Sequence, residues 1–125
     1  MENYTIAVDF LNENEENKNI IDDYSIRLNF KYNSINIYSL YTNFKEFYNN
    51  FVEQYDTLVT EKTYTLEEIN GGIFIHKDNE YLIFNVERYG TNCQFDSNFV
   101  VKINDEIDKM ISSIQKFKID SEIEN

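Results

Sequence analysis

Few residues in this chain could perform covalent or metal chemistry. His76 is the one histidine and Cys93 the one cysteine, and they are separated by 17 positions. A single histidine cannot build a His-rich metal site, and a catalytic cysteine needs a base close to it. No Lys, Arg or His lies within three residues of Cys93 to favour a reactive thiolate. We therefore predict that His76 is a polar strand residue and that Cys93 is a small buried one.

The carboxylates are numerous, but their spacing forms no recognisable catalytic or calcium motif. The adjacent pairs are Asp22 with Asp23, Glu67 with Glu68, and Asp105 with Glu106. Adjacent residues on a strand point to opposite faces, so such a pair is not an acid–base couple. The EF-hand spacing is absent; Asp78, Asn79 and Glu80 would suit a weak calcium site, but a turn explains them without a metal. We predict no catalytic residue, no metal and no cofactor.

The net charge is the most unusual property of the composition. Asp and Glu number 23 against 11 Lys and Arg, which gives a formal net charge of -12. This charge argues against direct binding to nucleic acid or to an anionic membrane, because both are negative. The expected partner is a basic protein or a cation, unless the charge serves solubility alone.

Length and composition predict a single domain, residues 1–125, in the cytosol. Ten Phe and ten Tyr residues can supply a large aromatic core, and the hydrophobic fraction of 42% is in the globular range. One cysteine cannot form an internal disulfide. The N-terminus lacks the basic and apolar regions of a signal peptide, and no apolar run approaches the length of a transmembrane helix.

Alternating apolar residues predict an antiparallel sheet of about five to six strands. The clearest strand is residues 24–32, followed by a tight turn at Asn33 and Ser34 and a return strand at residues 35–41. Residues 81–88 are apolar on both faces, which indicates a central strand. Gly71 and Gly72 predict a hairpin turn. Further strands are expected at residues 4–11, 64–66, 73–76 and 94–103, the last with an interruption at residues 96–98.

Two segments have helical periodicity. Phe44, Phe47 and Phe51 belong to an apolar face that recurs every three or four residues and predicts a helix over residues 43–58. A second apolar face, with Ile107 and Met110, predicts a helix over residues 105–118. Residues 12–23 are expected to form a mobile acidic loop and residues 120–125 a frayed tail. Sheet and helices together predict the α+β class.

The order of elements over residues 44–117 resembles one protein family. The resemblance rests on the helix with Phe44, Phe47 and Tyr48, the Gly71 and Gly72 pair, the strand of residues 81–86, the turn at Gly90, the strand of residues 99–103 and the final helix. This order is similar to that of the small α+β immunity proteins of bacterial contact-dependent or polymorphic toxin systems, in particular the WapI-like group. The resemblance implies a cytosolic, non-enzymatic acidic protein that occludes a toxin domain, and it identifies no binding residues.

Two other functions stay open on the sequence. One is a phage- or plasmid-encoded inhibitor of a host defence nuclease, in which carboxylates imitate DNA phosphates. The other is a small-ligand-binding protein or enzyme whose site is assembled from scattered residues. For a basic protein partner, candidate contacts come from loops and charged faces, where a binding protein is free to specialise. These candidates are Glu46, Glu53, Asp56, Glu67, Glu68, Asp78, Glu80, Tyr89 and Asp96.

Overall fold

A computed structural model describes residues 3–12, 23–55, 63–68, 71–89 and 94–124. Its elements are β1 (Thr5–Asn12), β2 (Tyr24–Tyr32), β3 (Ile35–Asn43), α1 (Phe44–Phe47) with a π-helical continuation (Tyr48–Val52), β4 (Thr63–Glu68), β5 (Gly71–Asp78), β6 (Tyr81–Tyr89), β7 (Gln94–Lys102) and α2 (Asp105–Glu124). All strand pairs are antiparallel. The predicted α+β class with two helical regions is confirmed. The predicted mobile loop lies almost entirely outside the described residues.

The strands divide into two sheets. The first sheet has the order β1-β2-β3 and the second has the order β4-β5-β6-β7. Each sheet is a meander in which neighbours in sequence are neighbours in space, as short connections favour. The central position predicted for residues 81–88 is confirmed, since β6 lies between β5 and β7.

The β2–β3 hairpin follows the sequence closely. Asn33 and Ser34 have φ angles of 51° and 67°, so the turn requires the left-handed conformation that Asn tolerates. The alternation in β2 is clear in the structure, because Ile26, Leu28 and Phe30 are buried. The pairing register shifts next to Phe30, which marks a bulge in β3.

The glycine pair does not form the predicted hairpin turn. Gly71 and Gly72 are the first residues of β5 and pair with Arg88 and Glu87 of β6. Gly71 has a φ of 144°, and a Cβ at this position would overlap the Glu87 carbonyl group, whose carbon would be 2.7 Å away. The glycine therefore permits a close approach of two strands rather than a reversal of the chain.

β7 is continuous, which corrects the predicted interruption. Asp96, Ser97 and Asn98 remain in register with β6. A cluster of Asp, Ser and Asn is typical of loops, but here the pairing with β6 overrides that local preference.

The first helical region changes type along its length. The Asn43 Oδ1 accepts a hydrogen bond from the Glu46 N–H at 3.0 Å and caps α1. The Glu53 N–H then donates to the Tyr48 carbonyl at 2.8 Å, a five-residue spacing that defines a π-helix. The predicted burial of Phe44, Phe47 and Phe51 is confirmed. Val52, eight residues after Phe44 and four after Tyr48, is also buried. Residues 56–58 of the predicted helix lie outside the description.

α2 extends six residues beyond its predicted end at residue 118. Ion pairing between Lys118 and Glu122, one turn apart, supports the last turns. The Ser121 hydroxyl also donates to the Phe117 carbonyl at 2.6 Å. The acidic tail predicted to fray from residue 120 is therefore helical through Glu124.

The inner faces of the two sheets and the buried sides of the helices share one hydrophobic core. β7 crosses the three strands of the first sheet near one end. The Phe99 ring stacks on the Tyr38 ring of β3, with 4.5 Å between the ring centroids. It also meets the Phe30 ring of β2, with a centroid separation of 5.0 Å. The Tyr4 hydroxyl, next to β1, donates to the Lys102 carbonyl at 2.6 Å. This packing leaves the second face of each sheet on the outside of the molecule.

Candidate binding surface

The outer face of the second sheet combines apolar and acidic side chains. Strand alternation places Leu82 and Phe84 in the core, so the residues between them point outward. The register then aligns His76, Ile83 and Val100 in one row across three strands. Val100 is 42% exposed, and Ile83 is half-buried. The centre of this face is therefore an accessible apolar patch.

An acidic row crosses the same face toward one end of the strands. Glu87 of β6 pairs with Asp96 of β7 on one side and with Gly72 of β5 on the other. Gly72 in turn pairs with Glu67 of β4. Glu67, Glu87 and Asp96 thus occupy one register row, which we call the acidic row. Within this row Glu87 and Asp96 are directly opposed, a position at which like charges repel.

Asn85 connects the acidic row to the centre of the face. Its Nδ2 donates to Asp96 Oδ1 at 2.9 Å and to Asn98 Oδ1 at 2.6 Å. Both acceptors are oxygens, which fixes the orientation of the Asn85 amide. Asn85 therefore holds the Asp96 carboxylate at a defined position on the sheet.

The β5–β6 turn adds negative charge at the opposite end of the face. Asp78 pairs with Tyr81, which is 39% exposed, and Tyr81 pairs with Lys102. The Lys102 Nζ is 4.0 Å from Glu80 Oε2, in a solvent-exposed ion pair. Exposed pairs of this kind contribute little to stability, so Glu80 stays accessible to a partner.

The two outer sheet faces differ in charge. On the second sheet, Asp78, Glu87 and Asp96 occupy outer strand positions and Glu80 lies in the adjoining turn, whereas Lys102 is the one Lys or Arg at an outer strand position among the side chains that the structure describes. On the first sheet, the outer positions hold Asp9 against Arg27 and Lys31. Of the two outer sheet faces, that of the second sheet is therefore the more acidic.

A network of neutral polar groups covers the outer face of the first sheet. The Ser39 Oγ donates to Asn29 Oδ1 at 2.6 Å, and the Asn36 Nδ2 donates to Ser39 Oγ at 3.0 Å. Arg27 lies over the Tyr41 ring, 5.6 Å from its centroid. This face satisfies its own polar groups and has no excess of carboxylates for a basic partner.

The predicted contact residues separate into two groups. Asp78, Glu80 and Asp96 lie on or beside the outer face of the second sheet, and Glu67 and Tyr89 occupy register positions in line with this face. Glu68 pairs with Gly71, one register position further along β4. Glu46 and Glu53 are exposed on the first helical region and not on a strand of this sheet, and Asp56 is outside the described residues.

Sequence reasoning missed Glu87 and Tyr81 as members of this face. Both alternate with the buried residues of β6, so the period of two along residues 81–89 contained the necessary signal. The pairing of Glu87 with Asp96 depends on the length of the β6–β7 connection, which alternation does not supply.

The described part of the chain has few features of a reactive site. Within it, no three His, Cys, Asp or Glu side chains are grouped closely enough to hold a metal ion. Burial, followed by the nearby Tyr55, Glu106 and Asp108, raises the pKa of the Tyr4 phenol well above its ordinary value. Tyr4 therefore acts as a hydrogen-bond donor to the Lys102 carbonyl and not as a base. Cys93 lies outside the described residues.

An open depression of about 440 Å³ lies at the end of the first sheet. Its lining residues are Asn3, Tyr4, Thr5, Lys31, Tyr32, Asn33, Ser34 and Asn104. The volume suits a small ligand, but such sites usually have an apolar lining with a few polar groups, and most of these residues are polar.

Comparison with family models, curated proteins and solved structures finds no match to this chain. No helix of the described residues combines the length and the apolar character needed to cross a membrane.

Proposed function

We propose that this chain is a non-enzymatic binding protein that captures a basic protein on the outer face of its second sheet. The observation that carries the proposal is the composition of that face: an accessible apolar centre with carboxylates at both ends. Apolar contact area gives affinity, and complementary charge gives rapid, oriented encounter. The net charge of -12 extends the attraction beyond the face itself.

The specific role we propose is that of an immunity protein that occludes a bacterial toxin nuclease domain. A nuclease needs a basic surface to hold the phosphates of its substrate. An acidic sheet face that covers this surface would exclude the substrate by occupancy, without any reaction. The resemblance of residues 44–117 to WapI-like immunity proteins supports this role.

An inhibitor of a host defence nuclease is the second form of the same proposal. It would use the same face, because carboxylates can replace phosphates on a basic groove. The identity of the partner separates the two roles: a toxin encoded beside this chain supports immunity, and a host defence nuclease supports the second role.

The test begins with affinity capture by the full-length chain from the cells that encode it, followed by kinetics with the purified partner. We expect the association rate to fall as salt rises from roughly 0.01 M to 1 M, since the screening length shrinks from about 30 Å to about 3 Å. A rate independent of salt would exclude electrostatic steering. An acidic partner would overturn the proposal.

Charge reversals locate the surface. Asp78→Lys with Asp96→Lys should lower the association rate by about tenfold or more at low salt. Asp9→Lys with Asp120→Lys is the matched control, because it changes the net charge equally at exposed positions away from this face. Equal effects of the two double variants would show that net charge alone is responsible and would remove the assignment to this face.

A further inference from the structure

The two edges of the first sheet differ in how they are covered. At the β1 edge, α2 packs against the strand, and the Ile6 N–H donates to Glu106 Oε2 at 3.2 Å. On the other side of the sheet, β3 pairs with β2 and with no second strand among the described residues. An edge strand presents every second N–H and C=O outward, so an open edge is a template for another strand.

β3 also lacks the side chains that usually protect an edge. Residues 33–43 contain no Asp, Glu, Lys, Arg or Pro, in a chain in which charged residues make up 27%. Ile35, Ile37 and Tyr41 are exposed by 66%, 38% and 44%. The bulge beside Phe30 interrupts the edge near the turn, which leaves residues 38–43 as its regular part.

We propose that the β3 edge pairs with the β3 edge of a second copy of this chain. An antiparallel arrangement about a two-fold axis would join two three-stranded sheets, in the order β1-β2-β3, into one continuous sheet. Such an interface is closed and self-complementary, so association stops at two copies. The exposed side chains of β3 would then form cross-strand pairs with their counterparts.

The chemistry of β3 favours a second copy over the basic partner of the proposed function. Residues 33–43 have no carboxylate that could select a cationic strand. Like charges in direct opposition are the usual obstacle to the pairing of two identical edge strands, and two uncharged strands avoid it. The remaining charges of the two copies repel at long range, so this association should strengthen as salt rises.

Sedimentation equilibrium over a range of protein concentrations and salt tests the proposal. We expect a monomer–dimer equilibrium that shifts toward the dimer at high salt, and loss of the dimer in Ile37→Lys with Tyr41→Lys, which places cations on the edge. Ser112→Lys with Ile119→Lys is the matched control, since both positions are exposed on α2 and add the same charge, and it should dimerise like the wild type. A wild-type monomer at every concentration and salt would overturn the proposal, as would equal loss of dimer in both double variants.

Spin labels give a second readout that does not depend on the lysine variants folding. A label at Ser39→Cys, in a Cys93→Ser background, should report an intermolecular distance on the order of 10–20 Å, because antiparallel pairing of residues 38–43 separates the two copies of residue 39 by a few residues of strand rise. A label at Ser113→Cys, exposed on α2, should report no such short distance. A short distance at residue 113 but not at residue 39 would assign the dimer to another surface and overturn the proposal.

The salt dependence separates this inference from the proposed function. Binding of a basic protein weakens with salt, whereas β3 pairing strengthens. If either the binding of a basic protein or the β3 pairing were absent, the other would be unaffected, because the two interactions use different sheets.

Discussion

Glu87 and Asp96 occupy directly opposed positions on β6 and β7, with both positions on the outer face of the second sheet. Opposed residues on antiparallel strands have their Cβ atoms about 5 Å apart, and like charges at that separation repel. The fold holds Asp96 there through the Asn85 amide at 2.9 Å. The two acidic residues thus lie side by side on the face that we propose for a basic partner.

Removing one charge of this pair should stabilise the protein and weaken its function. Asp96→Asn retains an oxygen that can accept the Asn85 hydrogen bond, and it should raise the free energy of unfolding by about 0.2–1 kcal/mol. The same variant should associate more slowly with a basic partner. Urea denaturation and stopped-flow binding measure the two effects.

Salt provides the control for this variant. Salt screens the repulsion between Glu87 and Asp96, so the increase in unfolding free energy that Asp96→Asn produces should be smaller at high salt. A gain that does not change with salt would show that repulsion is not its cause.

Truncation of Phe51 should be severe. The Phe51 ring is fully buried, and its centroid lies 5.4 Å from that of Phe47 and 5.8 Å from that of Tyr55. Phe51→Ala therefore leaves a cavity where the π-helical turn meets the core. We expect a loss of about 3–5 kcal/mol in unfolding free energy. Ile119→Ala, at an exposed position of α2, should change stability by less than about 0.5 kcal/mol. If urea denaturation gave similar losses of unfolding free energy for Phe51→Ala and Ile119→Ala, the assignment of Phe51 to the core would be wrong.

A side chain at Gly71 should not be tolerated. Its φ of 144° is unfavourable for other residues, and an added Cβ would overlap the Glu87 carbonyl group. Strain of this kind costs about 1–3 kcal/mol, and the overlap adds to it. Gly71→Ala should therefore lower the thermal midpoint and increase amide hydrogen exchange at the start of β5. Unchanged stability would mean that β5 and β6 do not approach each other closely at this position.

The sequence predicts elements well where one periodicity dominates. Apolar and polar residue types alternate along the sequence of β2, and its bounds, Tyr24–Tyr32, agree with the prediction, although Ser25 is buried and Tyr32 is exposed. Gly71 and Gly72 show the limit of local interpretation, because glycine serves turns and close strand approach equally and distant residues decide which occurs. The π-helical turn is similarly hidden, since it differs from an α-helix by one residue in the hydrogen-bond pattern.

The candidate surface is predicted less completely than the fold. Alternation along β6 shows that Glu87 faces outward, but Asp96 lies in the predicted interruption of β7. The alignment of the two residues in one row is set by the register between β6 and β7. That register depends on the connection and on core packing, which residue types alone do not encode. The charge pattern predicts Glu46 and Glu53 as contact residues together with Asp96, yet those two belong to the first helical region and not to the sheet.

Tyr4 should give the protein a specific sensitivity to alkaline pH. Below pH 10.0, the ordinary pKa of the phenol, Tyr4 is protonated in both the folded and the unfolded chain, so the hydrogen bond to Lys102 contributes fully. Above pH 10.0 the unfolded chain loses this proton, whereas burial raises the pKa of Tyr4 in the folded protein and keeps its phenol protonated. The unfolded state then binds fewer protons than the folded state, and the free energy of unfolding falls as pH rises.

Urea denaturation at neutral pH and above pH 10.0 can isolate this contribution. Tyr4→Phe should lose about 0.5–1.5 kcal/mol at neutral pH through the missing hydrogen bond, and it should decline less steeply than the wild type in alkali. Tyr32→Phe, at an exposed position, should show the same fall in unfolding free energy with rising pH as the wild type. The hydrogen bond to Glu122 raises the pKa of Lys118, which also makes the free energy of unfolding fall in alkali. This contribution is the same in the wild type, Tyr4→Phe and Tyr32→Phe, so it does not affect the difference between them. Equal alkaline slopes for Tyr4→Phe and the wild type would therefore show that the Tyr4 phenol ionises as readily in the folded protein as in the unfolded chain.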